Sequence, residues 1–475
     1  MAKIVVEFPE KLKNLAAAVA DLVGVVEAQD GSAKCGRAVD YADVESKVGD
    51  ATARIERESH AVILATLDVD RPSVLFEGKR CARAGRAPGS YKTLAGEVLV
   101  ERTLYRAPDG RGTFDAIAVR AGAVGDGWLP RTARAMAFEV QKATSREAEK
   151  SAQQTGRLPY SRSSFEAVAH EVGEVFVACH QDVEDALIDA YEVPAGARSV
   201  SASLDRVSVP MEEPRARPAG RPRADAPKRP LSREFRMAYC GTVTLHDREG
   251  RALHTIRYGT MPKGDAEALC EGMAADVVTL LQQKPLEVML LCDGAPEMWN
   301  LLEKQLKVPL LARAPHRLVD MHHLVEKLGK AAKIVADDGS AQTERWKLRL
   351  LNDSGAAAQI LAELVASGKE HVRSGDEEPV HDAITNLTNH AERLDYASAR
   401  ARGLPIGSGN VEATCKSLFE VRFKRSGSRW KEQTGEHVVH LRALALSDRW
   451  DDGVELALAP LRRAVRPAPP IRRAS

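Results

Sequence analysis

EVMLLCDGAPEMWN, residues 287–300, decides how the chain is read. Glu287 to Cys292 is an apolar run of the length of a buried strand, and it stops on Asp293-Gly294. Met298 to Leu306 then reads as helix, and Asp265 to Gln283 upstream has helical periodicity as well. Helix, strand, helix is a βαβ-like step of a mixed sheet, with a carboxylate at the end of the strand.

Working outward, SVSASLDRVSVPM from Ser199 is Val-rich and alternating, which predicts a strand with Asp205 in its middle. FRMAYCGTVTLHD and RALHTIRYG flank the turn residues Asp247 to Gly250, a hairpin signal, so three strands are expected in one sheet. LVDMHHLVEKLGKAAKIVA starts as a short strand and becomes helix, and residues 324–400 read as an inserted helical bundle. In GLPIGSGNVEATCK, Pro405 and the glycines break that bundle. Ser408 or Asn410 can cap the next helix, and Glu412 falls in its first turn. Residues 1–200 read as a mainly helical region with one β-hairpin, built on GEVLVERTLYRA and the turn Pro108-Asp109-Gly110, and with helices arranged like a helix-turn-helix. Residues 212–233 form a basic Pro-rich loop, and 451–475 a basic tail expected to be disordered.

The 475 residues exceed a single core, and 44% hydrophobic with 28% charged residues is a globular composition. The formal net charge of +1 means that any attraction to nucleic acid must come from local clusters. The seven cysteines are dispersed and form no CxxC pair, which points to reduced thiols in a cytoplasm. The apolar run Leu15 to Val26 is broken by Asp21 and reads as an amphipathic helix, not a signal or membrane segment.

Asp205, Asp293 and Glu412 stand out because a charge in or beside an apolar strand is costly unless it is paired or bound to metal. Phosphodiester chemistry needs such groups, since paired divalent cations take oxygen ligands and carboxylates supply both ligands and charge. Each also has a structural reading: Asp205 pairing with an Arg, Asp293-Gly294 as a turn, Glu412 as a partner of the helix dipole. Asp247 remains an alternative to Asp205 as the first carboxylate. The glycine loop at 407–412 fits neither a dinucleotide fingerprint nor a nucleophile elbow, which disfavours nicotinamide binding and serine hydrolysis. Beyond Glu412, Lys416, Arg422, Lys424, Arg425, Arg429 and Trp430 form a basic cluster with an aromatic, suited to phosphates and an unpaired base, or else a solvated helix face.

The segments MAYCGTVTLHDREG, LLCDGAPEMWNLLEK, VDMHHLVEKLGKAAK, GLPIGSGNVEATCK and RFKRSGSRW resemble, in order and spacing, the transposases of the ISKra group of bacterial insertion sequences, distant relatives of the Mutator-like transposases. The resemblance covers roughly residues 204–450, with a weaker likeness upstream. It implies a ribonuclease H-like mixed sheet with a helical insertion, carried by residues 201–323 and 401–450 around the bundle. It implies Mg²⁺ or Mn²⁺ as cofactor, Asp205, Asp293 and Glu412 as catalytic metal ligands, and Asp320 and His323 as auxiliary residues of a D-x-x-H motif. The partners implied are the inverted-repeat ends and target DNA, bound by a homo-oligomer in the bacterial cytoplasm at the nucleoid. Cys81 stands alone near the hairpin, so no zinc knuckle is expected. Two other functions fit the same residues: a transposase-derived DNA-binding protein without catalysis, and a metal-dependent nuclease without strand transfer.

Overall fold

A computed structural model describes residues 5–34, 38–212, 233–307, 310–311 and 313–470. The chain divides into two compact units, Met1–Cys179 with Val454–Ser475, and His180–Gly453. Each contains a five-stranded sheet. No described helix is long and apolar enough to cross a membrane.

In the first unit, two long helices, Lys13–Lys34 and Tyr41–Ala65, precede β1 (Ser73–Phe76), β2 (Lys79–Thr93), β3 (Gly96–Arg106) and β4 (Thr113–Asp115). The expected hairpin around Pro108-Asp109-Gly110 is β3 with β4, but it is one corner of a larger antiparallel sheet. The long strand β2 was not expected. Its first half, KRCARAG, is largely exposed except at Cys81 and carries no alternation, so it is held by pairing, Lys79 to Ala82 with β1 and the residues from Arg83 on with the strongly patterned β3, and not by its own propensity.

The carboxy-terminal tail is corrected too. Trp450–Leu458 is a helix, and Arg466–Pro467 pairs antiparallel with β1 as the sheet's fifth strand. Val465, 5% exposed, packs with Val74 and Phe76, an anchor that the surrounding Arg and Pro residues conceal in the sequence. Only 471–475 of that tail lie outside the described residues. Among the helices read as a helix-turn-helix, Arg162–Ala178 is capped by Ser161 and buries Phe165, Val168, Val172 and Phe176. Its exposed side carries Glu166 and Glu174, a poor match to phosphates.

The second unit begins earlier than expected, with the helix His180–Asp189. Its sheet contains β5 (Ser199–Glu212), β6 (Arg233–His246), β7 (Ala252–Thr260), β8 (Glu287–Cys292) and β9 (His316–Val319), in the order β7-β6-β5-β8-β9. The first three strands run antiparallel to one another, and β8 and β9 are added parallel to β5. The parallel steps are crossovers: the helix Ala266–Gln283 leads into β8, and Pro296–Gln305 leads towards β9. Val288 to Cys292 are all buried, as an apolar strand flanked by neighbours and covered by helices must be. The basic loop at 212–233 connects the paired ends Glu212 and Arg233, and its residues 213–232 lie outside the described residues.

The expected helical insertion consists of Met321–Val335, Gly339–Asn352, Ala356–Ala366, Pro379–Asn389 and Tyr396–Ala401. It starts at Met321, capped by Asp320, and it is not a separate bundle. Leu324, Leu328, Trp346, Ile360 and Leu387 belong to one continuous hydrophobic core with Leu290, Leu291 and Trp299 of the sheet and its crossover. Each such side chain, fully removed from water, contributes about 1.5–3 kcal/mol, so the insertion is fixed to the sheet by burial.

Candidate active site

The site begins with strand register. β5 and β8 pair in parallel from Ser199↔Glu287 to Ser203↔Leu291. Asp205 and Asp293 each lie two residues beyond the last pair, so the same register sets Asp205, in the middle of β5, level with Asp293, just past the end of β8. Asp247 lies at the opposite end: His246 is opposite Ser199, whereas Asp205 is opposite Cys240. Asp247 accepts the N–H groups of Glu249 (2.9 Å) and Arg251 (2.8 Å), as a hairpin turn residue does. Of the two, Asp205 is the one that the register sets beside Asp293.

Asp205 is half-buried, and burial pushes its carboxyl above the usual carboxylate range. The Arg206 N–H and the Cys415 thiol pull the other way, the nearby charge of Asp293 adds to the rise, and His323 opposes it. Cys415 Sγ is 3.4 Å from Asp205 Oδ2. Asp293 Oδ1 accepts the Ala295 N–H at 2.9 Å, which shapes the turn into the helix Pro296–Gln305. Gly294 has φ of +100°, and a Cβ there would stand 3.1 Å from His390 Nε2, so both backbone and space call for glycine.

Glu412 is in the first turn of the helix Gly409–Thr414, which continues through a π-helical stretch, Cys415–Glu420. Such stretches recur at functional sites because the extra residue per turn re-aims side chains. Glu412 Oε1 lies 3.1 Å from His323 Nε2. Asp320, fully buried, fixes this arrangement: Oδ1 accepts the N–H groups of His322 (2.6 Å) and His323 (3.1 Å), and Oδ2 accepts that of Ser408. Burial works to raise the Asp320 carboxyl, but the hydrogen bonds from Ser408 and His323 outweigh it and hold it below the usual range. One carboxylate therefore ties the start of the His323 helix to the loop that presents Glu412.

Asp205, Asp293, His323 and Glu412 thus share one neighbourhood, assembled from two strands and two helices. Ligand atoms of Asp320, His323 and Glu412 all lie within 4.8 Å of one another, close enough for a metal ion. Three backbone N–H groups already occupy Asp320, which suits a tether better than a ligand. Two side chains were missed in the sequence. Cys415 stands three residues after Glu412, a spacing that puts both on one helical face and was readable. His390 meets Gly294 only through the tertiary fold.

The basic cluster divides. Lys416 and Arg429 are exposed, with Arg429 Nε 3.8 Å from Glu212 Oε2. Lys424 pairs with Glu420 at 2.9 Å, and Arg425 Nε donates to the Val421 carbonyl at 3.2 Å. Arg422 and Trp430, expected at DNA, instead serve packing. Arg422 is 6% exposed and lies 4.8 Å over the Trp430 ring, whose other neighbour is Phe423 at 4.3 Å. The Trp430 indole N–H donates to the Phe423 carbonyl at 3.2 Å, and its backbone bonds with Pro210 and Glu212 clamp the segment to the end of β5. No protein-family model matches the chain, and no curated protein matches it.

Proposed function

We propose that the protein is a DNA transposase, cleaving element ends and joining them to target DNA on a ribonuclease H-like domain. The observation that carries this reading is the shared register of Asp205, within β5, and Asp293, just past β8, on adjacent parallel strands, with Glu412 held by His323 on a helix nearby. The mixed sheet, three antiparallel strands with two parallel ones added in the order β7-β6-β5-β8-β9, supports this reading. The sequence resemblance to ISKra-group transposases names the same three carboxylates.

The carboxylates are the hard oxygen donors that Mg²⁺ or Mn²⁺ takes: Glu412 lies with Asp320 and His323 within 4.8 Å of one another, and burial with the neighbouring charge of Asp293 leaves Asp205 short of positive charge. Bound there, the ions supply Lewis-acid activation of the attacking hydroxyl and stabilisation of the leaving oxygen. The chain's own part is positioning. Asp205 and Asp293 are fixed by the sheet, Asp320 fixes the Glu412 loop, and His323 orients the Glu412 carboxylate, as partners of ligating carboxylates do. Exposed Lys416 is available to the DNA backbone, and Arg429 reaches it by exchanging its loose contact with Glu212 for a phosphate. Reading of the inverted repeats is assigned to the first unit, and assembly on DNA to a homo-oligomer.

Purified protein incubated with DNA carrying the element ends tests this: cleavage with Mg²⁺ or Mn²⁺ and none with Ca²⁺ is expected. Cleavage unaffected by a chelator contradicts it.

A further inference from the structure

A cleft of about 730 Å³ opens beside the candidate carboxylates, between the helices Pro296–Gln305, Met321–Val335 and Pro379–Asn389. Its edge is Gly294, next to Asp293, and its size is that of ordinary ligand sites, ~300–1,000 Å³. We infer that it receives an unpaired nucleobase of the DNA strand being processed. This rests on the transposase reading and deepens it.

Three of the residues that line the cleft are more than nine-tenths buried: Trp299 at 1% exposure, Asn386 at 7% and His390 at 8%. Each carries a buried polar atom without a hydrogen-bond partner among the described residues: Trp299 Nε1, Asn386 Oδ1 and His390 Nδ1. Buried polar groups are paired in nearly all folded proteins, because an unmade bond forfeits the solvation that burial took away. Here a donor, an acceptor and a ring nitrogen able to take either role belong to three residues that line one cleft. A nucleobase edge offers donors and acceptors side by side, and bases freed from pairing are read by such groups.

The charges favour a base over a stretch of backbone. Lys330 is tied to Glu377 at 3.0 Å and Arg393 to Glu303 at 2.8 Å, and Asp382 on the rim repels phosphate. Lys327 has no carboxylate partner among the described residues and is exposed on the rim, which suits a single flanking phosphate. Exposed Asn389 adds an amide able to bond a base edge.

The test is binding of a fluorescein-labelled forked duplex by the full chain with Ca²⁺ in place of Mg²⁺, the single-stranded flap carrying either ordinary bases or abasic residues. Wild type is expected to bind the base-bearing flap about tenfold more tightly. Asn389→Ala, an exposed change that leaves the fold intact, should reduce the ratio, and Asn386→Ala should bring it close to one. Lys327→Ala should weaken both flaps alike. Equal affinity of wild type for both flaps, while Mg²⁺-dependent cleavage persists, overturns the base pocket and leaves the transposase reading standing. Binding of neither flap together with no cleavage overturns both. A ratio unchanged in both asparagine variants assigns the preference elsewhere and also overturns the pocket.

Discussion

His323 Nε2 stands 3.1 Å from Glu412 Oε1, joining the helix that follows β9 to the helix that follows Gly407-Ser408. Because Asp320 holds the backbone of both segments, the contact is pre-formed by the fold. His323→Ala should therefore leave the melting temperature nearly unchanged but lower DNA cleavage about 10–100-fold, with a higher Mg²⁺ concentration needed for half-maximal rate. A rate and Mg²⁺ dependence equal to wild type would remove His323 from the site.

Asp205 has a raised carboxyl through burial, so its charged form is disfavoured in the folded protein. The stability of the metal-free protein should fall as pH rises from the ordinary carboxylate range through the higher one of Asp205. Asp205→Asn should thus raise the metal-free melting temperature at neutral pH and abolish the gain that Mg²⁺ gives wild type. In wild type that gain should shrink as acid protonates Asp205. Calorimetric scans with and without Mg²⁺ check this, and an equal Mg²⁺ gain in both proteins counts against Asp205 as a ligand.

Asp276 lies 2% exposed under the sheet and accepts the Tyr258 hydroxyl at 2.5 Å. Burial pushes its carboxyl up from 3.8 to about 7, against the Tyr258 hydrogen bond and the Arg449 charge. The folded state then holds a proton that the unfolded state has released, so this group's contribution to stability declines between pH 3.8 and about 7. Asp276→Asn should flatten that part of the pH profile. Tyr258→Phe should cost about 1–3 kcal/mol by leaving the carboxyl without its donor. A pH profile unchanged by Asp276→Asn would refute the assignment.

Within the basic cluster, position separates packing from binding. Lys416→Ala and Arg429→Ala should each lower the salt slope of DNA binding by about one, with unchanged stability. Trp430→Ala should instead destabilise the fold by about 3 kcal/mol, and Arg422→Ala should act in the same direction. Salt titrations beside denaturant melts distinguish the two classes. A reduced salt slope with unchanged stability in the Arg422 or Trp430 variant would return that residue to the DNA surface.

Legibility in the sequence followed the physics of each position. Asp293 was readable because a charge at the end of an apolar strand has few structural uses, and the three strands around Asp205 were readable from alternation. β2 was not, since its exposed Arg, Gly and Ala residues leave no period to detect. The tail was misread because its basic and proline residues outweighed the few that anchor it, Val454, Ala457 and Leu458 in its helix and Val465 beside its strand. Arg422 looks the same in sequence whether it meets a phosphate or a tryptophan. The exclusion of Asp247 and the meeting of His390 with Gly294 depend on register and tertiary contact, which composition does not carry.

The central claim is tested most directly by strand transfer: end DNA with pre-cleaved 3′-hydroxyls, a target plasmid and Mg²⁺, with wild type beside Asp205→Asn, Asp293→Asn and Glu412→Gln. The account predicts joined product with wild type and its loss, by a factor of about 10² or more, in every variant, while all four proteins bind the ends equally. Joined product at the wild-type level from any one of the three variants would contradict it.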